Sequence, residues 1–275
     1  MDGKRISWLV LCCLLLFPMT GLSKECKFTL VYQGIMEKKE IRVGISKDYP
    51  PLNFEAGKKG LEVEMANLMG TFLGVAVKLV PLDVKDYVNA IAEKKVDIVM
   101  AGLSRNLVRA KTIWFSTPYL SATPAVLAKK HRLPQTQFGE EFEQAPITTI
   151  WDLRRLTSFT FAVKKGSSYE NLLADKFPDM PKVFVTSNEE GLKLLKEGKV
   201  HGFVHDSLYL QYLFSTRAQY KGTYTLLKGG RQVEEICVGL PFGDIILKNQ
   251  IDLFVQELLR QGQIDEWLER FNLEE

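Results

Sequence analysis

Two stretches about a hundred residues apart follow one design, and that design restricts the fold. The first, EKKVDIVMAGLSRNLVRA, runs from Glu93 to Ala110, and the second, EGKVHGFVHDSLYL, from Glu197 to Leu210. Each is a charged helix end, a Lys-Val step, a short apolar strand, and then polar residues where the strand stops. A helix leading into a buried strand is the repeat unit of α/β layers. In open α/β sheets, ligands bind beyond the carboxyl ends of the strands. There the first stretch places Gly102, Ser104 and Arg109, and the second places Asp206. One half thus offers a guanidinium for a carboxylate and the other a carboxylate for an ammonium. Such a pair is a zwitterion clamp split over two lobes.

The remaining pattern supports two α/β sets. Strands are expected over 41–46, 75–80 and 96–100, with a helical spacing at Val63, Ala66, Met69 and Leu73 and a helix over 86–94. A long polar stretch from His131 to Pro146 separates these from a second set. Its strands are expected over 159–163, 183–186 and 200–205, and its helices over 168–177, 189–197 and 207–216. Strands interleaved with helices argue for parallel sheets. An apolar strand over 236–240 and helical residues over 245–271 follow, too far past the second set to belong to it easily. Their return to the first set would make two crossovers and a hinge. The expected division is lobe 1 from 24–127 plus 233–275, and lobe 2 from 128–232.

Lys4 and Arg5 precede an apolar run from Trp8 to Phe17, with Gly21 and Ser23 after it. That run is too short for a bilayer core of roughly 30 Å and suits a signal peptide, 1–23, cut near Ser23. An exported chain is expected, with Cys26 and Cys237 left after the cut. A disulfide between them is open. Cys26 is also a candidate lipid anchor, but the charged pair Lys24-Glu25 argues against lipidation. The net charge of +3 comes without a Lys/Arg-rich block, which speaks against nucleic acid. His201 and His205 would share a strand face rather than a helix turn, and no nucleophile motif accompanies them. Neither a metal, a cofactor nor a catalytic residue is therefore expected.

These residues resemble the solute-binding proteins of ABC importers, specifically the family 3 type that binds amino acids. The likeness is carried in order by IRVGISKDYPPLNFE (41–55), GLEVEMANLMGTFLG (60–74), AGLSRNLVRAKTIWFSTPY (101–119), WDLRRLTSFTFAVKKGSSYE (151–170) and LLRQGQIDEWLERF (258–271). It implies a two-lobe, type II periplasmic binding protein-like α/β fold, with each sheet flanked by helices and a ligand buried between lobes joined by two strands. By position, Arg109 would grip the ligand α-carboxylate, aided by the Ser168 backbone N–H at a helix start. Ser104, the Gly102 carbonyl and Asp206 would meet the ammonium, and Tyr49 would wall the side-chain pocket. Two positions depart from the family: Ser46 where many members carry an acid, and Val84 where many carry a stacking aromatic. With no acid evident there, lysine and arginine are disfavoured as ligands.

Each residue also has an ordinary role. An Arg in a first helical turn is usually solvated, an Asp after a strand is usually a helix N-cap, and Tyr49 could simply pack in the core. The implied function is a monomeric, extracytoplasmic binding protein that hands an amino acid to an ABC permease. The alternatives are a periplasmic ligand sensor and a dehydratase-like enzyme on the same fold.

Overall fold

The computed structural model describes residues 30–134, 146–230 and 233–271. The expected signal segment, its cut near Ser23, and Cys26 lie outside them. Cys237 is fully buried, and burial pushes its thiol up to about 12.

The first layer opens with α1 (Val31–Lys38), β1 (Glu40–Ser46), α2 (Leu61–Leu73), β2 (Ala76–Leu82), α3 (Tyr87–Ala92), β3 (Ile98–Val99) and β4 (Ile113–Phe115). β1 lies between β2 and β3 and is parallel to both, so both its faces are covered and Ile41, Val43 and Ile45 are fully buried. α2 buries Leu61, Met65, Ala66, Met69 and Leu73, the i, i+4 stripe that the sequence spacing demands. It stops at Gly74, whose φ of 69° takes the left-handed cap that glycine adopts without strain.

The chain leaves through β5 (Leu120–Ala122) and builds a second layer. That layer contains β6 (Pro124–Lys129), β7 (Phe161–Lys164), α4 (Ser168–Lys176), β8 (Lys182–Val185), α5 (Asn188–Glu197), β9 (Gly202–Asp206), α6 (Ser207–Thr216), α7 (Ala218–Thr223) and β10 (Tyr224–Lys228). Its sheet order is β10-β6-β9-β7-β8. The chain returns through β11 (Glu234–Ile236) to β12 (Gly239–Pro241), α8 (Ile245–Arg260) and α9 (Gln263–Arg270). β12 enters the first sheet between β3 and β4, completing the order β2-β1-β3-β12-β4. β5 and β11 pair with each other as a separate antiparallel ribbon.

Three expectations change. The sheets are evenly mixed rather than mostly parallel, because β6 and β12 follow a crossing without a helix and pair antiparallel with their neighbours. The strand expected over 236–240 is two strands, β11 in the hinge ribbon and β12 in the first sheet. Residues 124–127, expected in lobe 1, belong to β6 and therefore to the second sheet, so the break between the layers falls before Pro124.

The last two helices return to the first layer. Leu247, Ile251, Phe254, Val255 and Leu258 of α8, with Ile264 and Trp267 of α9, share one core with β1 and α2. Asp244 fixes the entry: one carboxylate oxygen caps α8 at the Leu247 N–H (3.0 Å) and the other accepts the Tyr32 N–H of α1 (2.8 Å). Trp267 is 2% exposed. Truncating a buried aromatic costs about 3–5 kcal/mol, so Trp267→Ala should lower the unfolding free energy by that amount in chemical denaturation. A loss under about 1 kcal/mol would show that α9 is peripheral to the fold.

Candidate functional site

The two layers face each other across a cleft that both of them line. Tyr49, Val84, Gly102, Ser104, Arg109, Ser168 and Asp206 all line it. The structure therefore brings every expected site residue to one place.

On the first side, the turn after β3 passes through Gly102 with φ of 61°. A Cβ there would lie 1.9 Å from the Tyr49 ring, so glycine is required both by the backbone and by the close approach of the aromatic. The turn is held from beneath by Glu62, whose Oε1 accepts the Gly102 N–H at 2.8 Å. Glu62 is completely buried and also accepts from the Tyr119 hydroxyl and the Asn53 amide. Arg109 opens a single 3₁₀ turn whose first N–H is received by Asn106 Oδ1 at 2.9 Å. Among the described residues its guanidinium makes one hydrogen bond, Nη1 to the Ser104 carbonyl at 2.7 Å. Burial lowers its proton affinity and the Glu234 carboxylate works against that, so Arg109 remains a cation with most of its donor fork unused.

On the second side, Asp206 ends β9 and caps α6. Its Oδ1 accepts the Tyr209 N–H at 2.8 Å, while Oδ2 meets His205 Nδ1 and the Tyr49 hydroxyl from the opposite layer. Burial alone would raise its pKa, yet His205, the Tyr209 N–H and Tyr49 together hold it below the ordinary value. Asp206 is thus an ionised carboxylate in the cleft and a helix cap at once. Ser168 begins α4, where unsatisfied N–H groups favour an anion.

Several groups that line the cavity or touch its lining escaped the sequence reading. Glu234, on the hinge strand β11, accepts from Ser104 Oγ at 2.6 Å and from Ser168 Oγ at 2.9 Å, joining both layers. Desolvation raises its pKa. Tyr87 supplies an aromatic beside Val84, and Asp48 supplies an acid two residues from Ser46, correcting the expectation that none faces the pocket. Lys164, Asn188 and His205 complete the wall from the second side. An acid next to Tyr49 and a lysine at a strand end were visible signals. Glu234 had none, because only the hinge pairing turns it inward.

Residues 41–274 match the family of bacterial extracellular solute-binding proteins, family 3, and the chain belongs to that family. A stretch of 121 residues is 33% identical to a cyclohexadienyl dehydratase of Pseudomonas aeruginosa, covering 42% of this chain and 44% of that protein. Another of 95 residues is 30% identical to an arginine-binding extracellular protein of Bacillus subtilis, covering 34% and 37%. Each match spans less than half of the relative's own length. Among solved structures, an ancestral amino acid-binding protein described as a precursor of cyclohexadienyl dehydratase superposes with a TM-score of 0.73 at 24% identity, over 88% of this chain and 99% of that one. An arginine-bound substrate-binding protein of an amino acid ABC transporter from Streptococcus pneumoniae gives 0.74 at 22%, over 88% and 100%. The fold is the mixed α/β, two-lobe form of type II periplasmic binding proteins.

Glu62 gives the site a testable pH signature. Desolvation, opposed by the Tyr119, Gly102 and Asn53 hydrogen bonds, pushes its carboxyl from 4.5 up to about 7. A raised acid binds its proton more tightly when folded. Its stabilising contribution is therefore full below 4.5 and is lost as pH rises through about 7. The gap corresponds to roughly 3 kcal/mol. Chemical denaturation at pH 5 and pH 8 should show Glu62→Gln gaining on the parent protein by up to that amount. A pH-independent difference would mean that Glu62 is ionised throughout.

Proposed function

We propose that this chain is an extracytoplasmic solute-binding protein that captures a free amino acid between its lobes and delivers it to the permease of an ABC importer, acting as a monomer after its signal segment is removed. One observation carries the reading: a half-buried cation with unused donors, Arg109, and a buried anion, Asp206, line the same cavity from opposite lobes.

An amino acid carries both charges on one carbon, and burying either unpaired is costly. Arg109 presents a planar fork suited to bidentate contact with a carboxylate, and the start of α4 at Ser168 adds backbone donors for the same group. Asp206 faces the ammonium, with Ser104 and the Gly102 carbonyl beside it and the Tyr49 ring as a wall. The Ser104 and Ser168 hydroxyls both donate to Glu234, which ties the two ends of the site together. Likeness to arginine-, cystine- and octopine-binding proteins supports an amino-acid-type ligand.

A dehydratase is the second reading, favoured by the Pseudomonas relative and by Glu234, an acid of raised proton affinity inside the cleft. Against it, Asp206 is ionised and pinned, which suits an ammonium better than proton delivery. Isothermal titration against the twenty amino acids, alongside an assay for dehydration of a cyclohexadienol acid, separates the two. Turnover without amino-acid binding would overturn the proposal.

Arg109→Ala should weaken ligand binding by about a hundred- to several-thousand-fold, since stripping one partner from a buried charge pair costs on the order of 3–5 kcal/mol. Arg109→Lys should also bind far more weakly, because the bidentate fork is gone. Affinities within a few-fold of the parent protein would refute the carboxylate role.

Asp206→Asn should weaken an amino acid much more than its 2-hydroxy acid analogue, since only the former presents an ammonium. Equal losses in titration calorimetry would leave Asp206 as a helix cap alone.

A further inference from the structure

The cavity has two electrostatic poles. Burial and then the Glu234 carboxylate act most on Arg109, whereas burial and then Lys164 and His205 act most on Asp48. Asp48 and Lys164 thus form a second charged pair lining the cavity besides Arg109 and Asp206. Lys164 in turn responds to Asp48, Asp83 and Lys47.

Three polar groups at this pole have unused capacity. Asp48 and Lys164 come from opposite lobes, line the cavity and attract each other, yet among the described residues neither side chain has a hydrogen-bond partner. Asn188, the first residue of α5 and only 1% exposed, donates from Nδ2 to the Asp48 carbonyl at 2.9 Å. That bond fixes the amide orientation, and Oδ1 is left buried without a protein partner. A buried acceptor of this kind calls for a donor.

The chemistry of a complementary side chain follows by elimination. An apolar group would desolvate Asp48 and Lys164 without replacing their hydrogen bonds, and would leave Asn188 Oδ1 unpaired. A cationic group would be attracted by Asp48 and repelled by Lys164, and an anionic one would meet the reverse. A hydroxyl carries a single donor on a short arm. A primary carboxamide has two N–H donors for Asp48 and Asn188 Oδ1 and a carbonyl oxygen for Lys164, with no net charge to offend either ion. We infer that the juxtaposition of Asp48, Lys164 and Asn188 selects an amino acid ending in a carboxamide, glutamine or asparagine. The inference rests on the amino-acid-binding reading above.

The test is titration calorimetry of the mature protein with glutamine, asparagine, glutamate, aspartate, lysine, arginine, leucine and cystine. Glutamine or asparagine should bind at least tenfold more tightly than its acid counterpart and than lysine, arginine or leucine. Asp48→Asn should then shrink the preference for amide over acid by about tenfold or more, and Lys164→Met should shrink the preference for amide over lysine similarly. Circular dichroism and thermal melts confirm that each variant is folded, and the parent protein's selectivity alone decides the matter if a variant is not. Tighter binding of a charged or apolar amino acid, or of cystine with its second zwitterion, overturns the carboxamide assignment and leaves the amino-acid reading standing. Binding of no amino acid at all overturns both.

Discussion

The antiparallel pairing of β5 with β11 carries both crossings between the lobes and fixes what faces the cleft. Ala122 lies opposite Glu234 and Leu120 opposite Ile236. The loop bearing the anchor residues joins the same ribbon: Arg105 N–H donates to the Glu235 carbonyl and Cys237 N–H to the Leu103 carbonyl, each at 3.0 Å. Ser104 bridges Ile236 within this ladder. A residue's side in a ladder is set by register, because side chains alternate between faces. The hinge therefore determines at once where the second sheet begins, where Ser104 points, and why Glu234 reaches both serine hydroxyls. Bending at this ribbon cannot be separated from the geometry of the site it serves.

Asp206 shows how one carboxylate serves fold and site together. Its two oxygens divide the work, one completing the first turn of α6 and the other turned to His205 and Tyr49. An N-cap of this kind contributes about 1 kcal/mol and immobilises the side chain, so its charge is held in position before any ligand arrives. Glu62 plays the complementary part on the first lobe. It holds the Gly102 turn through a backbone N–H. Both carboxylates are placed by a helix, Asp206 at the start of α6 and Glu62 within α2.

The legible part of this chain was the part governed by local periodicity. The α2 stripe, the α6 boundaries and the strand leading to Asp206 follow from spacing alone, and the positional likeness brought Tyr49, Gly102, Ser104, Arg109 and Ser168 to a single cavity. Lost from view were features set by long-range pairing. β10 and the short strands β4 and β5 are too brief for a pattern, and β6 hides its period because every residue is buried. The antiparallel entries of β6 and β12 depend on a chain reversal through the hinge. Glu234 looks like any surface acid in sequence, and Asn188 like the start of a helix. Their roles appear only when the opposite lobe supplies the Ser104 hydroxyl and the Asp48 carbonyl.

The closed arrangement also explains how a small ligand could drive a large motion. The lobes touch through Tyr49 with Asp206, Asn188 with the Asp48 carbonyl, and Glu234 with serines of both lobes. Partial burial at the cleft pushes four charged groups toward neutrality: Asp48 and Glu234 upward, Arg109 and Lys164 downward. Each shift records an electrostatic cost that exists in the closed form and vanishes when water returns to an open cleft. A ligand bearing a carboxylate and an ammonium relieves that cost only in the closed form, where groups of both lobes reach it. Its affinity is consequently greater for the closed state, which is the thermodynamic requirement for shifting the population.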